Sequence, residues 1–390
     1  MPWFPPPRPD WVQETNSNHR SHRLDGDTIL SSTMSEFGDS GPAFFENIKE
    51  PFFVLINALN NEAKLNPLGC VFTEKYLRRL LKERLRILTN NIDGRDPVRN
   101  PVFIVGAPRT GTTALFDLFA QIGNVRVGRG WEFLYPTHSS EVMEVAEEEL
   151  SFPQRVSTGL ETIHGYSANM PKECLSLMSF AFKSEEFISR YHVPSYVEWL
   201  QATNMRSAYE MHRSVLQMLQ NDSETQWVLK SPVHLHSIPV LLDIYPDASF
   251  IVTHREPLDV LSSVSNLVSA LRYAFSDHVQ PDLIGPYHID LYARSLNLLV
   301  DHVESGLLPP KRTVHVLHQD IIDDSLTVME TCCTAFGIDF NPVELEKKER
   351  IAGSAFYDNP SDFGIGKDAG RLFERYRHFL RNLSVTGVSS

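Results

Sequence analysis

Two glycines, an arginine and three threonines occupy one short stretch, Gly106-Ala107-Pro108-Arg109-Thr110-Gly111-Thr112-Thr113. The glycine spacing is that of a phosphate-cradling loop, in which backbone N–H groups wrap an anion and the following helix presents its positive end. A nucleoside triphosphatase of this kind carries lysine where Thr112 stands, to reach the β- and γ-phosphates, so ATP or GTP hydrolysis is disfavoured. The cation is displaced to Arg109, which with Thr110, Gly111, Thr112 and Thr113 suits a shorter anion. A second basic residue, Arg255, follows an apolar run. Ser263 comes eight residues later, on the second turn of the helix expected there, where it could share an anion with the arginine. Alone, such an Arg and Ser are a weak signal; their weight lies in the combination with the loop.

These groups need strand ends and helix starts to hold them. The continuous apolar run 102–105 reads as a buried parallel strand, with a helix over 112–122. Further strands are expected at 227–230, 249–253 and 315–318, with helices at 236–244, from Pro257 onward, and at 324–336, the last with Asp324 as N-cap and Gly337 just past its end. Repeated alternation of this kind predicts a three-layer α/β/α fold with a central, mostly parallel sheet, P-loop-like, and a large helical cover over 124–215. Lys230 is then expected at the C-terminal end of a strand, where open α/β sheets place their ligands. Leu77, Leu80, Leu81, Leu85 and Leu88 recur at helical spacing over 74–88, and Lys75, Arg78, Arg79, Lys82, Arg84 and Arg86 on the other faces read as a solvated basic surface. Phe180, Phe182, Phe187, Tyr191, Tyr196 and Trp199 read as helix-packing core, some of them available to an apolar pocket.

Composition narrows the function classes. The 390 residues are 42% hydrophobic and carry 36 Lys+Arg against 49 Asp+Glu, a net charge of −13. That balance argues against a general grip on nucleic acid, so any anion site must be local. Cys70, Cys174, Cys332 and Cys333 lack CxxC spacing, and neither a disulfide framework nor a metal motif is visible. The first residues lack the basic flank and apolar core of a signal peptide. Apolar runs such as 52–59 are too short to span a bilayer, so a cytoplasmic protein without an integral membrane span is expected. Residues 1–33 read as a poorly ordered or clasping arm, and 34–390 as one domain.

The segments PVFIVGAPRTGTTAL (101–115), WVLKSPVHL (227–235) and SFIVTHREPLDVLSSV (249–264) occur in the order found in sulfotransferases that use 3′-phosphoadenosine 5′-phosphosulfate (PAPS). The sequence resembles the bacterial-type branch of that family, and NALNNEAKLNPLG, WEFLYP, HGYSANMPKECLSLM, YHVPSYVEWL and FYDNPSDFGIG extend the likeness over about 35–385. The resemblance implies a 5′-phosphosulfate site in the unit 100–122, a 3′-phosphate site at Arg255 and Ser263 in the unit 227–270, and an acceptor-side cover over 124–215. It also implies transfer of a sulfuryl group to a hydroxyl or amine of a small molecule, without a metal. Arg109 stands where the better-known cytosolic branch has lysine, and Pro232-Val233 interrupts a Lys-Thr-His element.

Sulfuryl transfer needs cations on the donor oxygens and a base for the acceptor's proton. Arg109 and Lys230 are assigned to the charge. For the base, Glu132 resembles the family's Trp-Glu element, His234 its Lys-Thr-His histidine, and His164 lies in the His-Gly-Tyr-Ser segment; Glu173 is a weaker option. Each could instead be structural. The Gly364–Lys367 stretch could close over the nucleotide or be a surface turn. A nucleotide kinase or GTPase, or a catalytically silent nucleotide-binding scaffold, stays open as the alternative, as do the acceptor's identity and homo-oligomerisation.

Overall fold

The computed structural model describes residues 3–36, 45–90, 95–163, 165–220, 225–345 and 360–383. Among these, five parallel strands form one sheet in the order β2-β3-β1-β4-β5: β1 (Val102–Val105), β2 (Val125–Arg126), β3 (Gln226–Lys230), β4 (Ser249–His254) and β5 (Thr313–Leu317). β1 lies at the centre, paired through Phe103 with Leu229 on one side and with Phe250 on the other. Each strand alternates across the sheet. Phe103, Val105, Leu229, Phe250 and Val252 join one core, and Val102, Ile104, Val228, Ile251 and Val314 join the other. Burial on both faces explains why the central strands read as unbroken apolar runs.

The smaller core packs under Thr112–Phe119 and Ser325–Phe336. The latter ends as its sequence dictates: Asp324 accepts from Thr327 N–H, and Gly337 takes the left-handed conformation at φ 67°. The larger core packs under Arg206–Leu219, Ile238–Ile244, Pro257–Phe275 and Pro281–Glu304. Strand β2, two residues long, carries no periodic signal in the sequence.

The Pro67–Thr89 helix corrects one expectation. Its basic side is not wholly solvated: Arg79 and Arg84 are buried, Arg79 chelated by Glu149 at 2.8 Å with its other end on the Leu134 carbonyl, and Arg84 donating to Phe180 O. The helix is packed on more than one face, so cations there must find partners. At the start of the chain, Trp3 donates to Asn266 and Arg8 stacks on Tyr273, 3.8 Å from its ring centre, so residues 3–9 lie along the Pro257–Phe275 helix. Two helices follow, Asp10–Asn18 and Gly26–Ser35. No helix among the described residues is long and apolar enough to cross a membrane.

Candidate active site

The loop after β1 is shaped by three local choices. Gly106 faces Thr253 so closely that a Cβ would sit 2.2 Å from its Oγ1. Gly111 turns into the Thr112–Phe119 helix at φ 91°, a conformation that disfavours side chains. Between them Arg109 itself has φ 66°, a left-handed backbone that for a non-glycine residue stores about 1–2 kcal/mol. The hydroxyl of Thr110 is committed inside the loop, donating to Ala107 O at 2.7 Å and lying 2.6 Å from Thr253 Oγ1. Thr112 is buried at the first helical position, while Thr113 is exposed.

The strand and helix after the loop bring the second cation to it. Arg255, just beyond β4, donates to the Arg109 carbonyl at 3.0 Å, and Arg109 Nε donates to Ser263 Oγ at 3.0 Å. Burial and the neighbouring Arg255 both lower the Arg109 guanidinium's pKa. An anion between these groups would relieve that repulsion, so the residues fit a bound phosphate.

Lys230 ends β3 with its side chain 3% exposed, ion-paired with Glu173 and 3.4 Å from Thr113 Oγ1. The backbone joins the same two segments, Cys174 N–H donating to Lys230 O at 3.0 Å. Glu173 rides on a segment tied to the Trp131–Glu132 turn through Trp131 N→Ala168 O and Lys172 N→Gly128 O, each 2.9 Å. Behind the pair opens a cavity of about 180 Å³. Pro108, Thr113, Lys230 and Glu173 line it, with Val264, Leu267 and Leu271 from Pro257–Phe275 and Tyr287, Leu291 and Tyr292 from Pro281–Glu304. Its wall also holds a buried ion pair, Glu186–Arg190 at 2.6 Å. Burial alone would raise the Glu186 carboxyl, but Arg190 and Lys172 outweigh it and hold it at about 2.

Residues 101–342, more than half of the chain, match the Sulfotransferase family. The chain belongs to the sulfotransferase family. Similar proteins include the omega-hydroxy-beta-dihydromenaquinone-9 sulfotransferase Stf3 of Mycobacterium bovis and of Mycobacterium tuberculosis, each 28% identical over 57% of this chain. Those matches span 59% of the relatives' own length. The fold is shared with the sulfotransferases STF1 of Mycobacterium tuberculosis H37Rv and STF9 of Mycobacterium avium, each at a TM-score of 0.75 over 92% of this chain, with 24% and 20% identity. They are covered to 100% and 97% of their own chains.

Within this sulfotransferase fold the base candidates separate. Glu132 is 6% exposed and has both oxygens engaged, one by Arg126 at 2.6 Å and one by the Arg129 N–H at 2.8 Å, where it caps the Gly130–Leu134 helix. It is outside the cavity lining and holds the turn on which the Glu173 segment rests. His234 is fully buried, with Nδ1 2.9 Å from Tyr209 OH, and burial pushes its pKa well below the usual imidazole value. Its neighbours Pro232 and Val233 reach the cavity, but His234 does not line it. The inserted Pro-Val pair thus belongs to a 3-10 turn, Pro232–His236, that carries the histidine inward. His164 lies outside the described residues. Of the three candidates among the described residues, Glu173 is the one brought to both the lysine and the cavity.

The aromatics from Phe180 to Trp199 pack as core and do not line the cavity. Apolar walls come instead from Pro257–Phe275, the helix that carries Ser263, and from Pro281–Glu304, whose lining residues are indistinguishable in sequence from any buried helix face. The Gly364 turn, at φ 68°, packs on Pro281–Glu304, where a Cβ would meet Asp282 O at 2.2 Å.

Proposed function

We propose that this chain transfers the sulfuryl group of PAPS to a hydroxyl of an apolar small molecule. The observation that carries the reading is the Glu173–Lys230 pair, which lies where the anion loop meets the apolar cavity. In the reaction the acceptor oxygen forms a bond to sulfur as the bond from sulfur to the 5′-phosphate oxygen breaks. Adenosine 3′,5′-bisphosphate leaves, and the acceptor's proton passes to a base. Glu173 is that base: it borders the space an acceptor would fill, whereas Glu132 and His234 are engaged elsewhere. Lys230, Thr113 and the loop around Arg109 face the charge that builds on the bridging oxygen, and their fixed positions supply stabilisation without reorganisation. Arg255 and Ser263 hold the 3′-phosphate. The cavity's apolar walls favour an acceptor with a substantial hydrocarbon or aromatic body. The names of the mycobacterial relatives specify a hydroxylated acceptor, which supports the choice of a hydroxyl.

The test is calorimetric titration with adenosine 3′,5′-bisphosphate, in parallel with ATP·Mg²⁺ and with Arg255→Ala. A charge-assisted hydrogen bond contributes about 1.5–3 kcal/mol, so the substitution should weaken bisphosphate binding by roughly 10- to 150-fold. No binding of the bisphosphate, or a preference for ATP·Mg²⁺, overturns the reading.

A further inference from the structure

Behind the Glu173–Lys230 pair, in the core and outside the cavity lining, three side chains from distant parts of the sequence converge. Cys174 precedes the Leu175–Met178 helix, His212 lies on Arg206–Leu219, and His234 in the turn after β3. All three are 0% exposed, and one ligating atom from each lies within 4.8 Å of the others. Each imidazole is oriented by a tyrosine at Nδ1: Tyr245 OH lies 2.7 Å from His212 and Tyr209 OH 2.9 Å from His234. That leaves each histidine its Nε2, and both Nε2 atoms are buried without a hydrogen-bond partner among the described residues. An unsatisfied buried polar atom costs about 1–3 kcal/mol, so two beside one thiol call for an explanation.

We propose that Cys174, His212 and His234 bind one thiophilic d10 ion, zinc(II) or copper(I), as a structural site. Thiolate and imidazole are the donors such ions select. Hydrogen bonds at the distal ring nitrogen are the usual means of fixing a ligating histidine. Geometry permits the ion: the centre of an equilateral triangle with 4.8 Å sides is about 2.8 Å from each corner. Contraction of about 0.5–0.8 Å per ligand gives the usual metal–sulfur and metal–nitrogen lengths of about 2.3 and 2.0 Å. Binding releases the Cys174 thiol proton to solvent and changes no oxidation state. Because Cys174 follows Glu173 and its N–H holds Lys230 O, the ion would pin the backbone beneath both members of the pair. The ligands are too far apart in the chain to form a spacing motif, and for that reason the sequence reading expected no metal.

The experiment uses the full chain, stripped of metal by chelators under reducing conditions. It is titrated with Zn²⁺, and anaerobically with Cu⁺, against a chromophoric chelator; Co²⁺ serves as a spectroscopic probe. The expected result is about one equivalent bound, with a thiolate-to-cobalt charge-transfer band and a rise in Tm. Cys174→Ser and His234→Gln should weaken binding at least about 100-fold, while Cys70→Ser should not. The cobalt band reports sulfur ligation in the unsubstituted chain, so the outcome does not depend on how well a core variant folds. The proposal is overturned if the folded wild-type chain takes up neither ion, if bound cobalt lacks the thiolate band, or if folded Cys174→Ser keeps full stoichiometry.

Discussion

Glu173→Gln tests the proposed base apart from its structural surroundings. Glutamine keeps the shape and can still accept a hydrogen bond from Lys230, but it cannot take the acceptor's proton. Two costs follow. Lys230 is 3% exposed, and removing one partner of a buried pair costs about 3–5 kcal/mol. Glu173 is 24% exposed and the amide retains one contact, so the stability loss should be nearer 1–2 kcal/mol. The catalytic cost is larger, because a positioned general base contributes roughly 10²- to 10⁴-fold to rate. The assay follows radiolabelled sulfate from PAPS to a panel of long-chain primary alcohols, with bisphosphate binding measured on the same preparation. The expected result is kcat reduced by about 10²–10⁴ with the bisphosphate Kd changed by less than about threefold, since the cation Glu173 pairs with is Lys230, while the proposed donor contacts are Arg255 and Ser263. If Glu173→Gln keeps kcat within about fivefold of wild type, the proton goes elsewhere and the assignment is wrong.

Acid should destabilise the fold through histidines kept neutral in the core. Burial lowers His288 to about 3 and His315 to about 4, against 6.5 in the unfolded chain. The unfolded state therefore binds more protons between those values, and stability is lost as pH falls below 6.5. Integrated from half-protonation at pH 6.5, at about 1.4 kcal/mol per unit, the two should remove about 3 kcal/mol between pH 6.5 and 5. Urea midpoints that stay level from pH 7 to 5 contradict this, and His288→Gln should flatten the dependence. At the Arg79–Glu149 pair, where both side chains are under 10% exposed, Glu149→Gln should cost about 3–5 kcal/mol in thermal or urea denaturation. A loss below about 1 kcal/mol would mean the pair behaves as a surface one.

The loop and strand ends of the proposed donor side were legible because their signals are local. The glycines of the loop, the apolar run before it and Arg255 at a strand end each carry their meaning within a few residues. β1, β3 and β4 came out close to their observed bounds for the same reason. The acceptor side was not legible, since the residues that matter there are defined by tertiary position. Glu173 is chosen over Glu132 and His234 by which carboxylate or imidazole reaches the cavity, and His234 is turned inward by a 3-10 turn that the Pro-Val insertion only hinted at. The Lys and Arg pattern of Pro67–Thr89 misled in the same way: amphipathic spacing cannot tell a solvated arginine from one held by a carboxylate on another helix.

Ser263 and Val264 are consecutive residues of one helix, the first holding Arg109 and the second lining the cavity. On the proposed function, a bulky acceptor that pushes this helix outward would also draw the serine off the arginine, and a tightly held nucleotide would stiffen the wall the acceptor meets. The two proposed ligands would then share a mechanical element, and their affinities would be linked by one reciprocal free energy. Reshaping Val264, Leu267 or Leu271 to admit a new acceptor would then register in nucleotide affinity as well, making that affinity a simple gauge of how much a redesigned pocket has displaced the helix.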